Sequence, residues 1–306
     1  MKSFLIKTFC FLLISAGGIL SVFMLADGTT DPYYKRLTTP KQHSLILGTS
    51  RAANALNPAV FDDILQTTPN NRFFNYSFDV FISSYSPAYY KSIQRKLDKN
   101  TSDGTFILSV TPWNLSNRPG ESDDELTFRE DNQFLAGMPF VNMKPNVHYL
   151  VKYYQDSYLK ILQNIRNPPI PYLHSNGWLE INLYDRDRDF EEQMNIQIQS
   201  YEELLYKSTL SNVRLKYFEK TIRFLSEYGT VYLVRLPIHE NMFKLEDIYS
   251  PEFDTLMSQI ANDTGAQYLS FKDHENPFLF YDHEHVESRS AADVSAYVAE
   301  WIKSIK

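Results

Sequence analysis

Two short stretches carry residue types that can do chemistry together. The first is "SLILGTSRAANALNP", residues 44–58, where the apolar run Leu45-Ile46-Leu47 stops at Gly48-Thr49-Ser50-Arg51. A serine hydroxyl at the end of a buried strand is a nucleophile if a base takes its proton as it attacks, and only a helix cap if none does. The second is "FLFYDHEHVESRSAADV", where an aromatic run ends in Asp282-His283-Glu284-His285. Asp282 and His285 are three apart, so in a loop or a first helical turn the carboxylate can orient the imidazole. One loop then supplies base and orienting acid, and Ser50 supplies the nucleophile. Two other readings stay open. The loop can be a polar surface turn in which Ser288 caps the next helix. Alternatively Asp282, His283, Glu284 and His285, with His274 nearby, can hold a metal. Adjacent residues converge poorly on one ion, and the sequence has no His-x-x-x-His pair, so the reading carried forward has no metal site.

The elements that must position these residues alternate along the chain. "SLILG", "RFFNYSF", "TFILSVTP", "TVYLVRLP" and "AQYLSF" are short apolar runs flanked by turn residues, as strands buried on both faces should be. Between them lie helix patterns. Asn57 precedes Pro58 as a cap before a first-turn proline in "NPAVFDDILQ", and "SPAYYKSIQRKL" follows the second run. Leu215, Phe218, Ile222 and Leu225 form one helical stripe ended by Gly229, and Val294, Val298, Ile302 and Ile305 form another. This alternation predicts an α/β fold with a parallel sheet covered on both sides. Residues from about 115 to 210 break the rhythm and are read as an insertion over the sheet edge, partly helical near "HYLVKYYQDSYLKILQNI". Its charged patches, "ESDDELTFRED" and "YDRDRDFEE", are read as solvated faces. The insertion is expected to shape substrate choice without supplying the serine, histidine or aspartate.

The chain has 306 residues, 43% hydrophobic and 22% charged, enough for a packed core. Its formal net charge of −7 argues against a nucleic-acid partner. The single cysteine, Cys10, allows no intrachain disulfide. Lys2 and Lys7 precede 19 uncharged residues, 8–26, and Asp27 follows. A helix of that length is about 28 Å long, close to the hydrocarbon thickness of a bilayer. The charge bias places the N-terminus in the cytoplasm and the domain outside it. Residues 1–26 are therefore read as an uncleaved membrane anchor, with a cleaved signal peptide as the alternative. Residues 27–42 are read as a linker, and 43–306 as the exported domain.

The two blocks, in this order and at opposite ends of an α/β pattern, resemble the SGNH/GDSL hydrolase superfamily, in particular its membrane-anchored bacterial branch of polysaccharide O-acetyl esterases, acyltransferases and the D-alanyl transfer protein of teichoic acid modification. Gly48-Thr49-Ser50 corresponds to the family's strand followed by Gly-x-Ser, with the Arg51 common in this branch, and Asp282 and His285 to its Asp-x-x-His before the last helix. The resemblance implies a flavodoxin-like, three-layer αβα fold with a mostly parallel five-stranded sheet. It implies Ser50 as nucleophile, His285 as general base and Asp282 as its orienting acid, acting on acyl esters of an envelope glycan in the periplasm or outside the cell. No cofactor is required. The middle blocks depart from the family. "FFNYSFDVFISS" lacks the usual Gly, leaving Asn75 and Ser77 as the nearest polar residues, and "SVTPWNLS" offers Asn114 with Pro112 where Gly is usual. An oxyanion hole would use the Ser50 backbone N–H and the Asn114 side chain, with Asn75 and Arg51 as further oxyanion or substrate contacts. Arg235 and His239, in and after the fourth run, would emerge near the same edge, with His239 as a candidate substrate contact. Asn114 as a plain turn residue, and His239 as an ordinary loop histidine, are the competing readings. The rival function is a noncatalytic binding or assembly subunit that keeps the hydrolase fold beside a membrane-bound acyltransferase.

Overall fold

All five apolar runs are strands of one sheet in a computed structural model of the chain, which describes residues 1–164, 171–181, 190–275 and 277–306. They are β1 (Ser44–Leu47), β2 (Phe73–Asn75), β3 (Gly104–Ser109), β4 (Gly229–Arg235) and β5 (Gln267–Ser270), in the spatial order β2-β1-β3-β4-β5. Every neighbouring pair is parallel, where a mostly parallel sheet was expected. Successive strand residues point to opposite faces, and the core divides accordingly. Leu45, Leu47, Phe106, Leu108, Val231 and Leu233 join one apolar cluster. Ile46, Ile107, Tyr232 and Val234 join another.

Helices cover both faces. An apolar helix precedes the sheet, α1 (Lys2–Leu25). Among the helices that follow are α2 (Ser50–Ala55), α3 (Pro58–Ile64), α4 (Pro87–Lys96), α5 (Phe190–Leu205), α6 (Asn212–Ser226), α7 (Glu240–Tyr249), α8 (Phe253–Thr264) and α9 (Ser288–Ile305). Ile93 of α4, Phe218 of α6 and Met257 of α8 pack on the first face. Ala52 of α2, Phe61 of α3, and Val294 and Val298 of α9 pack on the second. Asn57 caps α3 as its sequence suggests, accepting the Ala59 N–H at 3.0 Å. The apolar stripe of α9 ends one turn early: Ile302 is buried, but Ile305 in the final turn is 43% exposed.

The chain runs from β1 to β2 on one side and then crosses to β3 on the other. In such sheets that reversal, at the carboxyl end of β1, is the usual ligand position. Ser50 begins the helix that follows β1.

α1 is 24 residues long and apolar enough to cross a membrane, and it is almost wholly exposed. Among the described residues, its C-terminal end packs on the domain, through buried Phe23. Residues 27–42 are not the linker expected of their composition. Tyr34, Arg36 and Leu37 are buried, and the Arg36 guanidinium donates to the Asn75 and Gly177 carbonyls at 3.2 and 2.7 Å. Lys96 Nζ donates to the Arg36 and Thr39 carbonyls at 2.9 and 2.8 Å. Polar and Pro-rich composition suggested solvent; these backbone carbonyls instead pair two buried cations.

The ends of the irregular stretch pair with each other, Ser116–Asn117 running antiparallel to Thr209–Leu210. Within it, helices Val147–Lys152 and Tyr158–Asn164 form in the helical region expected there. The patch at 121–131 is not a purely solvated face. Glu130 is fully buried against Arg214 and Arg129, at 2.9 and 2.8 Å. Most of the second charged patch lies at 182–189, outside the described residues.

Candidate active site

Gly48 makes the turn out of β1 possible. Its φ is +148°, and a Cβ there would lie 2.7 Å from the Ser109 side chain on β3. The turn is held from three sides. The Gly48 N–H donates to the Tyr89 hydroxyl at 3.2 Å, and its carbonyl accepts from Ser83 Oγ at 2.7 Å and the Phe78 N–H at 3.3 Å. Ser50 is thereby fixed at the first position of α2, half-buried at the carboxyl edge.

The second block forms a tight loop. Phe280 and Val286 bridge antiparallel, the Tyr281 N–H donates to the His285 carbonyl at 3.1 Å, and the Glu287 N–H donates to the Leu279 carbonyl at 2.7 Å. Inside it, Asp282 Oδ1 accepts the Glu284 and His285 N–H groups, both at 2.7 Å. The same carboxylate meets His285 Nδ1 at 2.8 Å through Oδ2. The Tyr281 ring stacks parallel to the imidazole, 5.5 Å between centroids. His285 Nε2 lies 2.8 Å from Ser50 Oγ. A carboxylate only accepts, so the Nδ1 proton faces Asp282 and Nε2 is left to accept from the Ser50 hydroxyl.

Electrostatics favour a basic imidazole. Burial alone would lower the His285 pKa, but the Asp282 carboxylate, and Glu284 beside it, outweigh that and leave it raised. Burial would raise the Asp282 pKa; His285 and the two backbone N–H groups more than offset this and hold it below the usual carboxylate value.

Arg51 and Glu284, each next in sequence to a member of this chain, tie its two halves together. Arg51 Nη2 and Nε donate to Glu284 Oε1 at 2.7 and 3.2 Å, and Nη1 donates to Glu246 Oε1 at 2.7 Å. Glu246 is fully buried on α7 and also accepts from Arg235 Nη2 at 2.9 Å. Two side chains of α5 complete the Glu284 shell: Tyr201 Oη donates at 2.6 Å and Gln197 Nε2 at 2.7 Å. Gln197 Oε1 in turn accepts the His283 N–H at 3.1 Å. Burial opposes the Glu284 charge, and Arg51 and His285 overcome it and hold the pKa down. Thus Ser50, His285 and Asp282 come from outside the 115–210 stretch, but that stretch helps to position them through Gln197 and Tyr201.

The remaining expected contacts divide. Arg51 is 4% exposed and bonded to two carboxylates, so it is a clamp and not the substrate or oxyanion contact expected of it. Asn75 is likewise corrected. Its Nδ2 donates to the Ala52 and Leu56 carbonyls, both at 2.8 Å, which occupies both amide hydrogens at the end of α2. Ser77 is buried and donates to the Ile46 carbonyl at 3.4 Å. Asn114 closes the turn after β3, accepting the Thr111 N–H at 3.0 Å and donating to the Ser109 carbonyl at 3.2 Å. One of its two amide hydrogens remains beyond those bonds. His239 caps α7 through the Asn241 N–H at 3.3 Å and meets the His283 ring at 4.7 Å. Ser288 caps nothing; its hydroxyl donates to the Ile181 carbonyl at 2.7 Å. Among the described residues no three His, Cys, Asp or Glu side chains converge as a metal site would need.

Glu246, Tyr201 and Gln197 were not picked out from sequence. Glu246 leaves one signal: it shares the buried face of α7 with Met242 and Leu245, an acidic residue at an apolar position. A hydroxyl hydrogen-bonded to a histidine that is held by a half-buried carboxylate is an arrangement able to generate a nucleophilic oxygen. No protein-family model matches the chain, and no curated protein matches it.

Proposed function

We propose that the chain is an extracytoplasmic serine esterase or O-acyltransferase of the SGNH type, acting on acyl esters of a cell-envelope glycan. The observation that carries this reading is the unbroken path from Ser50 to His285 to Asp282, with 2.8 Å at each step. In the first half-reaction Ser50 Oγ attacks the acyl carbonyl as His285 Nε2 takes its proton. The tetrahedral intermediate collapses, the glycan oxygen leaves with the proton from His285, and an acyl-Ser50 ester remains. Water then hydrolyses that ester, or a second sugar hydroxyl accepts the acyl group, with His285 again taking and returning a proton. Removal and transfer share these steps. The oxyanion is assigned to the Ser50 backbone N–H and the remaining N–H of Asn114. Loss of one such donor costs on the order of 100-fold or more in rate. α1 would hold the domain at the outer side of the cytoplasmic membrane, beside a membrane-bound acyltransferase if transfer is the reaction.

The test is turnover of a small aryl acetate by the full-length protein. Ser50→Ala and His285→Ala should each lose at least about 1,000-fold, and the double variant little more, because the residues act as a unit. One observation favours the rival reading of a noncatalytic binding subunit: both hydrogens of the Asn75 amide are already bonded, so the site has fewer oxyanion donors than expected. That reading is adopted if the wild type turns over no acyl ester.

A further inference from the structure

We propose that the face built by helices Val147–Lys152 and Tyr158–Asn164 rests on the phospholipid bilayer that α1 enters, so that the domain meets the membrane at a second place besides its anchor. The proposal rests on the reading of α1 as a membrane span. Val147 and Val151, four residues apart on one helix, are 42% and 66% exposed, whereas Tyr149 and Leu150 between them are buried. Leu159 and Leu162 are 58% and 42% exposed, whereas Ile161 is buried. Each short helix therefore packs one apolar side on the domain and leaves a second apolar side uncovered, which is costly in water and marks an interaction surface.

Continuity with α1 identifies what covers it. Tyr158 Oη donates to the Leu150 carbonyl at 2.9 Å, which joins the two short helices. Phe23, in the last turn of α1, meets the Tyr158 ring edge-on at 5.1 Å, and Tyr154 stacks on Tyr158 at 5.8 Å. Met24 and Leu25 beside Phe23 are themselves exposed. Exposed apolar side chains thus stand at the end of α1 and on both short helices, and Tyr158, 40% exposed, touches all three elements. Any bilayer that holds α1 begins next to this face. The paired tyrosines stand where α1 leaves the span, the level at which aromatic rings with a polar tip concentrate. Lys144 and Lys152 are exposed alongside, within the segment that carries the apolar face, and their ammonium groups can reach lipid phosphate.

Depth-dependent fluorescence quenching in proteoliposomes tests this with the full chain. The single native cysteine, Cys10, lies within α1 and reports the span itself. An environment-sensitive fluorophore is placed there, and, in a Cys10→Ser background, at Val151→Cys, Leu159→Cys and Ile305→Cys. Ile305 lies on α9, which covers the opposite face of the sheet, and serves as the aqueous control. The vesicles are phosphatidylethanolamine and phosphatidylglycerol carrying a lipid with a shallow nitroxide. The probes at 10, 151 and 159 should lose most of their emission and the probe at 305 almost none. Probes at 151 and 159 that stay as bright as the one at 305, while the Cys10 probe is quenched, would overturn the proposal and leave the anchor intact. An unquenched Cys10 probe would remove the span, and the second contact with it.

Discussion

At the scale of single residues, the site depends on which proton faces which atom. Asp282 accepts three N–H groups, two of them from the backbone of its own loop, so the loop backbone holds the carboxylate in place for the imidazole. On the proposed mechanism, the raised His285 pKa has a kinetic consequence. Only the neutral imidazole can take the Ser50 proton, so ester turnover should fall as pH drops through the folded-state pKa. Because that pKa is raised, the midpoint of the acid limb should lie above 6.5. Asp282→Asn removes the attraction that raises it while burial and Arg51 remain, so the limb should move to lower pH as the rate falls. A pH–rate profile of the wild type and this variant checks both shifts. Asn75→Ala separates two roles for one residue. It leaves two carbonyls at the end of α2 without donors, so the unfolding free energy should fall by about 1–3 kcal/mol in urea titration. A pure oxyanion donor would lose rate and keep stability.

At the scale of elements, the clamp joins segments far apart in sequence. Glu246 of α7 lies between Arg51 of α2 and Arg235 of β4, all three buried. Buried ion pairs add little over a well-packed apolar core, but removing one partner strands the other charge. Glu246→Ala takes one buried carboxylate from two guanidiniums that keep Glu284 and Asp254 respectively, and should destabilise the fold by about 1–3 kcal/mol, read from the urea midpoint at constant slope. Arg51→Lys should also be damaging, because an ammonium cannot reproduce the fork that holds two carboxylates. Neither pairing is legible in the sequence. Ion pairs have no period, and Arg51 and Glu284 are separated by most of the chain. The strands, in contrast, were legible. Buried on both faces, they read as unbroken apolar runs between turn residues, and their alternation with amphipathic helices implied parallel pairing. The loop around Asp282 was legible as a spacing of three, but its closure by Phe280 and Val286 was not, since one bridged pair leaves no pattern.

At the scale of the whole molecule, composition misled where burial is local. The polar stretch at 27–42 and the acidic stretch at 121–131 hold buried Arg36 and Glu130, each with at least one partner from a distant segment. The apolar helix was legible from length and charge alone, since a bilayer demands both. It should keep the full-length protein in membranes through alkaline carbonate washing and release it only with detergent, checked by fractionation; a mature N-terminus near Asp27 in intact-mass spectra would point to a cleaved signal instead. The measurement that bears most directly on the central claim is covalent labelling of the purified full-length protein with a fluorophosphonate, followed by peptide mass spectrometry. The expected result is one adduct, on Ser50, absent from Ser50→Ala and strongly reduced in His285→Ala. A folded wild-type protein that acquires no adduct on Ser50 would contradict it.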